Sequence, residues 1–403
     1  VAQGDWTPPR RDPADPLEVL VLTGFLGAGK TTLFNYLLSG LSGLRVAAVV
    51  NDFGAVEVDA LSVAGRVDST ISLAGGCMCC EIDITEVDTA LADLAAPEHA
   101  LDLVVIEASG LAEPDVLARL VRRQPRDTIA YGGLVNVVDA VHFPETAQRH
   151  PQIERHLAIS DLLVLTKTDL LDADKEKDIR TDLARRAPRT PLTTAVRGRL
   201  DMRLLFGGGE RRSGSGAGDG AQSGVDESHE REEAHGHDEH GHGHSHLHDS
   251  YTSAVAAPER PLHPRRFLEE IGRLPAGVFR AKGTVVLAAE DGPWSYEMSK
   301  VGSMLDLRAK GPSGPGEVTQ VVVIGVDLPT STAACLDQAE LGEGEQVRRE
   351  DGFVLEPFLV APEDAMDTEG WIFDDERSTP TTGAASMLYD PEDPDEADPA
   401  NTP

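Results

Sequence analysis

GFLGAGKTT, residues 24–32, decides how the rest of the chain is read. Gly24, Gly29, Lys30 and Thr31 fill the G-x-x-x-x-G-K-[ST] phosphate-loop pattern. The apolar run at residues 17–22 precedes it as a buried strand. Backbone N–H groups have to wrap phosphate oxygens there, which requires glycine where a Cβ would collide or where φ is positive. A helix starting near Lys30 aims its N-terminal dipole at the same charge. Lys30 reaches the β- and γ-phosphates, and the Thr31 hydroxyl can ligate Mg²⁺. Leu33, Tyr36 and Leu37 supply an amphipathic continuation that a glycine-rich turn binding nothing would not need.

Composition narrows the partners. The 403 residues carry 36 Lys and Arg against 69 Asp and Glu, a formal charge of −33. So acidic a chain is a poor match for a nucleic-acid backbone, which draws on clustered Lys and Arg. No apolar stretch approaches the roughly 20 residues that span a bilayer. Residues 1–11 lack the hydrophobic core of a signal peptide, so the expected setting is the cytoplasm, with no membrane partner. Three of the four cysteines stand together at Cys77, Cys79 and Cys80. A secreted disulfide framework spreads its cysteines, whereas clustered thiols in a reducing compartment point to metal or redox chemistry.

Strand and helix signals alternate from residue 17 to about 206. Strands are expected at 17–23, 45–50, 101–106, 133–138 and 162–166, with helices at 85–94 and 174–186 among others. Continuous apolar runs such as LVVI and LLVL suit strands covered on both faces. The expected fold is therefore α/β: a mostly parallel sheet flanked by helices at 17–206, after a polar N-terminus at 1–16. Residues 207–249 collapse into Gly, Ser, Asp, Glu and His and cannot form a core. A smaller α+β domain follows at 250–362, with strands expected near 283–288 and 321–326 and a helix near 264–273. Residues 363–403 are an acidic, Pro-rich tail that reads as a solvated terminus.

Four further segments sit where a GTPase places its working parts. VVNDFG, residues 49–54, ends a strand on an acidic loop; Asp52 could approach the γ-phosphate side, although Asn-Asp equally favours a plain turn. VVIEASG, residues 104–110, delivers Glu107 to the carboxyl edge of the sheet. An acid there organises Mg²⁺ or water, or is simply solvated. LVLTKTD, residues 163–169, offers the Asp169 carboxylate to the N1–H and exocyclic amino group of guanine, a donor pair adenine lacks. Lys167 would lie against the base, and Thr166 stands where the common form of the motif has Asn. GGCMCC, residues 75–80, supplies thiolates, which are soft ligands for Zn²⁺ or Cu(I). Cys77 and Cys79 share a face of an extended segment and Cys80 points away, so all three converge only if the chain turns. Three thiolates leave a tetrahedral ion one ligand short, as suits a site that hands metal on. A redox pair or inert thiols are the alternatives.

The order of GFLGAGKTT, NDFG, GGCMCC, EASGLAEP and TKTD resembles the CobW-type family of metal-handling GTPases. That family is related to nickel-insertion GTPases and nitrile hydratase activators. RPLHPRRF at 260–267 and GVFRAKGTVVLA at 277–288 look like its second domain. The resemblance implies GTP hydrolysis coupled to delivery of a transition metal, usually zinc, to a client metalloprotein, with Ni²⁺ or Co²⁺ as alternative cargo. It places nucleotide on Gly24, Gly27, Ala28, Gly29, Lys30, Thr31 and Thr32 and on Thr166, Lys167 and Asp169. Mg²⁺ goes to Thr31, cargo metal to Cys77, Cys79 and Cys80, and catalysis to Lys30, Glu107 and Asp52. Asp52 stands where the family usually carries Glu and reaches one methylene less.

His229, His235, His237, His240, His242, His244, His246 and His248 add a tract whose neutral imidazoles bind Zn²⁺, Ni²⁺ and Cu²⁺, beside its reading as a solvated linker. A regulatory GTP-binding protein that docks on a large assembly under zinc limitation, a metal buffer, and a nucleotide-dependent homodimer remain open.

Overall fold

The computed structural model of the protein describes residues 10–41, 43–50, 84–108, 114–207 and 251–360. Asp52, the Cys77–Cys80 cluster, Gly110, the histidine tract and the acidic tail lie outside these residues.

The first sheet is built from β1 (Leu17–Gly24), β2 (Val46–Val50), β3 (Leu103–Glu107), β4 (Ile129–Asp139), β5 (Leu162–Thr166) and β6 (Leu192–Ala195). Their order is β2-β3-β1-β4-β5-β6, and every pairing is parallel. Helices α1 (Lys30–Gly40), α2 (Ile84–Ala95), α3 (Pro114–Arg122), α4 (Phe143–Arg149), α5 (Gln152–Ile159), α6 (Ala173–Arg186) and α7 (Met202–Phe206) accompany them. β3 and β5 are buried along their whole length, as their unbroken apolar sequence demands. β1 lies between β3 and β4, so the chain departs to opposite sides from its carboxyl end. Such a switch point is where open α/β sheets form a crevice.

In this sheet β4 and β6 differ from expectation. β6 is polar (LTTA) and carries no apolar signal. β4 starts four residues earlier than its apolar run because Gly132 and Gly133 form an irregularity in its pairing with β1 instead of a turn. A Cβ on Gly132 would lie 2.9 Å from the Val19 carbonyl oxygen. Gly133 has φ +112° and meets the Phe279 ring and Val301.

Those last two residues belong to the second sheet. It comprises β7 (Thr252–Ala256), β8 (Val278–Leu287), β9 (Trp294–Val301), β10 (Met304–Pro312), β11 (Gln320–Gly325) and β12 (Leu359–Val360), in the order β12-β10-β9-β8-β11-β7. All its pairings are antiparallel except β10 with β12. Helix α8 (Pro264–Gly272) buries Phe267 and Ile271 in this sheet's core.

One hydrophobic core runs from the first sheet into the second, taking in Phe279, Val301, Ile324 and Val326. Polar anchors frame the seam. Glu18 on β1 accepts hydrogen bonds from Arg280 and from Lys282 (3.1 Å), and the Arg280 side chain is 2% exposed. Burial pushes the Glu18 carboxyl up, but the charges and hydrogen bonds of Arg280 and Lys282 overcome it and hold the pKa at about 2. Asp161, before β5, accepts hydrogen bonds from the Tyr131 hydroxyl, the Leu134 N–H (2.9 Å) and Arg122 at the end of α3 (3.4 Å). Burial nevertheless raises its pKa. The β9–β10 turn presses on this carboxylate: a Cβ on Gly302 would lie 1.7 Å from Asp161 Oδ1. Arg126 adds an ion pair to Asp306 at 3.1 Å. Among the described residues no helix is long and apolar enough to cross a membrane.

Candidate functional site

The phosphate loop leaves β1 through Gly24, where a Cβ would lie 2.3 Å from the Val137 carbonyl oxygen of β4. Gly27 and Gly29 follow with φ of +76° and +95°, in the region that glycine enters without steric cost. Gly29 begins α1 without a side-chain cap, which leaves the first-turn N–H groups facing the crevice for an anion. Lys30 folds back over the loop and donates to the carbonyls of Gly24 (2.9 Å) and Phe25 (3.2 Å). These are weak holds compared with phosphate oxygens, which carry full negative charge.

Two other strand ends close on the loop. Thr31 Oγ1 donates to Glu107 Oε1 at 2.7 Å, joining the first turn of α1 to the end of β3. Thr166 Oγ1, at the end of β5, lies 2.7 Å from the Ala28 carbonyl oxygen and 3.1 Å from that of Val138. Lys167 adopts a left-handed backbone (φ 59°), and its ammonium donates to the Gly27 carbonyl (2.8 Å) and Asp139 Oδ2 (2.6 Å). Asp169 sits in a short helical turn, Thr168–Leu170, with Arg197 Nε 3.9 Å from Oδ2. Thr32 lies under Gly198, whose Cβ would be 2.9 Å from Thr32 Cγ2.

The structure thus gathers Gly24, Gly27, Ala28, Gly29, Lys30, Thr31, Thr32, Glu107, Thr166, Lys167 and Asp169 at one sheet edge. The donor set fits a nucleoside triphosphate with Mg²⁺. Glycines give a cradle, an uncapped helix start faces it, and a hydroxyl and a carboxylate supply hard oxygens. Among the described residues no group of three or more His, Cys, Asp or Glu is placed to hold a metal ion. Burial raises the pKa of the half-buried Cys335 thiol to about 11.

Asp139 and His142 escaped the sequence reading. Asp139 ends β4 and accepts from Lys167, from the Val141 N–H (2.9 Å) and from the His142 N–H (3.2 Å), while the His142 ring Nδ1 lies 2.9 Å from its Oδ2. Burial raises its pKa, but the bonds from Lys167 and His142 outweigh this and hold it below the usual carboxylate range. The signal was present as an acid closing the apolar run VNVVD at a sheet's carboxyl edge. A cavity of about 310 Å³ flanks the loop here, lined by Phe25, Leu26, Val138, Phe143, Ile153 and Leu157 among others. Lys30, Thr31 and Asp169 do not line it.

The nucleotide-binding domain model of CobW/HypB/UreG matches residues 18–194, and that of the C-terminal domain of the cobalamin synthesis protein cobW matches residues 251–338. The zinc chaperone CobW of Sinorhizobium sp is 30% identical over 340 residues, covering 76% of this chain and 92% of that protein. The zinc chaperone YjiA of Escherichia coli is 34% identical over 203 residues, covering 48% of this chain and 61% of that protein. The crystal structure of Zn(II)-bound YjiA GTPase overlaps 81% of this chain and 99% of its own, at 24% identity and a TM-score of 0.38.

Proposed function

This chain belongs to the CobW family, and on that footing we propose that it hydrolyses GTP and couples hydrolysis to handing a transition metal, zinc foremost, to a client metalloprotein in the cytoplasm. The observation that carries the reading is the 2.7 Å contact between Thr31 and Glu107. It puts two hard oxygen donors side by side at the mouth of a glycine cradle. Thr31 and Glu107 would hold Mg²⁺, which when bound neutralises charge on the β- and γ-phosphates. The chain's own residues do the rest. The loop N–H groups orient the phosphates, and Lys30 exchanges its two carbonyl partners for phosphate oxygens. Asp169 accepts the two guanine donors while Lys167, tethered to Gly27, lies against the plane of the base. Asp52 is the acid proposed beside the γ-phosphate.

Cys77, Cys79 and Cys80 are proposed to carry the zinc cargo, with the tract from His235 through His237, His240, His242, His244 and His246 to His248 as a lower-affinity reservoir. The names of the CobW and YjiA relatives support zinc. The cysteines fall between the β2 end and Glu107, the two places that approach the γ-phosphate. Linkage requires that a GTP analogue and zinc raise each other's affinity by one factor, roughly 5–150-fold for a coupling of about 1–3 kcal/mol. Chelator competition on the full chain tests this. Equal zinc affinity with GDP and with a non-hydrolysable GTP analogue would sink the delivery mechanism. Equal turnover of ATP and GTP would remove the guanine assignment.

A further inference from the structure

Two of the four non-glycine residues with left-handed backbones among the described residues are cations at the same place. Lys167 has φ 59° and Arg197 has φ 53°. The left-handed conformation costs a non-glycine residue on the order of 1 kcal/mol, so it persists where the surroundings impose it. For Lys167 the reason is visible in its bonds to Gly27 and Asp139. For Arg197 the reason lies in the tight turn it shares with Gly198 and not in its side chain. Its side chain is 85% exposed, and its approach to Asp169 is a loose 3.9 Å. A solvent-exposed pair of that kind contributes almost nothing.

The backbone under Arg197 is nevertheless firmly placed. The Arg199 N–H donates to the Val196 carbonyl at 3.0 Å and closes a tight turn. Gly198, at φ +75°, seats that turn on Thr32 in the first turn of α1, with no room for a Cβ. β5 and β6 pair in parallel with Thr166 opposite Ala195, so Lys167 and Val196 leave adjacent strand ends side by side. A fixed turn therefore presents a long planar cation next to the Asp169 carboxylate.

We propose that Arg197 is a base-binding residue that stacks its guanidinium on a face of the guanine held by Asp169, whose carboxylate it approaches at 3.9 Å. The inference rests on the reading of Asp169 as the guanine-binding carboxylate. Guanine brings its own two N–H donors to Asp169 and so displaces the guanidinium. A guanidinium is planar, weakly hydrated and attracted to a π face, whereas an ammonium is a hydrated point charge. Because the base is common to GTP and GDP, the contribution is the same for both.

Binding of GDP and of a non-hydrolysable GTP analogue to the full chain with Mg²⁺ tests the assignment. Arg197→Ala and Arg197→Asn, the latter at ease in the left-handed region, are expected to weaken both nucleotides by one factor of about two- to tenfold. Arg197→Lys, which keeps the charge and loses the plane, is expected to stay as weak. Unchanged or tighter binding in the Ala and Asn variants overturns the proposal, as does full recovery with Lys, which would make charge and not stacking the cause. Asp169→Asn separates the two readings, since it should exchange guanine for xanthine, which offers a carbonyl in place of the amino group. If Asp169→Asn shifts the preference while Arg197→Ala changes nothing, the stacking role falls and the guanine seat stands. If Asp169→Asn still prefers guanine, both fall.

Discussion

At the carboxyl edge of the first sheet, Lys30 rests on the backbone carbonyls of Gly24 and Phe25, while Lys167 divides its bonds between the Gly27 carbonyl and the Asp139 carboxylate. At the seam with the second sheet, cations are committed to carboxylates: Arg280 to Glu18 and Arg122 to Asp161. The difference is one of reversibility. A neutral carbonyl yields a cation readily to an arriving phosphate, because the new partner carries full charge. A guanidinium sealed against a carboxylate has no better partner to leave for, and separating them strands a buried charge. Lys30 on its carbonyls is thus exchangeable, whereas Arg280 on Glu18 makes a permanent joint.

Removing one cation from the edge gives the largest effect. Lys30→Ala is expected to lower GTP turnover by at least about 10²–10³-fold, the scale on which a preorganised charge donor acts. Denaturant unfolding should change little by comparison. A variant that hydrolyses GTP normally would move the phosphate site elsewhere.

The seam should answer the other way round. Glu18→Gln leaves Arg280 buried without its charge partner, which costs about 3–5 kcal/mol of stability. The pH dependence has a fixed sign. The folded pKa of Glu18 is depressed from 4.5 to about 2, so its stabilisation is complete above 4.5 and fades as pH falls toward 2. Acid unfolding of the wild type should therefore show a component in that window that Glu18→Gln lacks, and identical acid profiles would deny the pair its role.

A smaller loss is expected from Gly302→Ala. The residue has φ +54°, and its new methyl would sit on Asp161 Oδ1. Strain and displacement together should cost about 2–4 kcal/mol, read by chemical unfolding, with GDP affinity retained below the transition. Weaker GDP binding by the folded variant would mean that seam and edge are coupled and blur the contrast. The least effect belongs to Thr166→Val, which keeps shape but loses the hydroxyl bonded to Ala28 and Val138. At about 0.5–1.5 kcal/mol for a hydrogen bond, nucleotide affinity should fall roughly two- to tenfold. No change would show that Thr166 does not tether the loop.

The edge was legible because its parts are short and contiguous. GFLGAGKTT, the acid closing LVVIE and the TKTD run each carry their chemistry within a few residues, and strand ends bring them together. Asp139 and Arg197 were not legible, since their meaning arises between neighbouring strand ends. The seam was hidden by distance: Glu18 and Arg280 lie 262 positions apart. Glu18 interrupts an otherwise apolar central strand, and that interruption was the available sign that something must neutralise it. β9 and β10 escaped notice because polar and charged residues interrupt their apolar ones, as in strands with one wet face. Asp52 and the three clustered cysteines lie outside the described residues, so their geometry adds nothing to this comparison.

The shared core also fixes an order of manufacture. The last strand of the first sheet, β6, is complete at residue 195, whereas Phe279 and Val301, which lie against Gly133, are translated 84 and 106 residues later. At about 5–20 residues per second, the ribosome spends roughly 4–21 s on that interval. For the first 84 residues of it the nascent first sheet has Glu18 made and Arg280 not yet made, and the Gly132–Gly133 irregularity still lacks Phe279 and Val301 against it. The joint that gives the finished molecule its permanence thus closes only after the whole first sheet has been made.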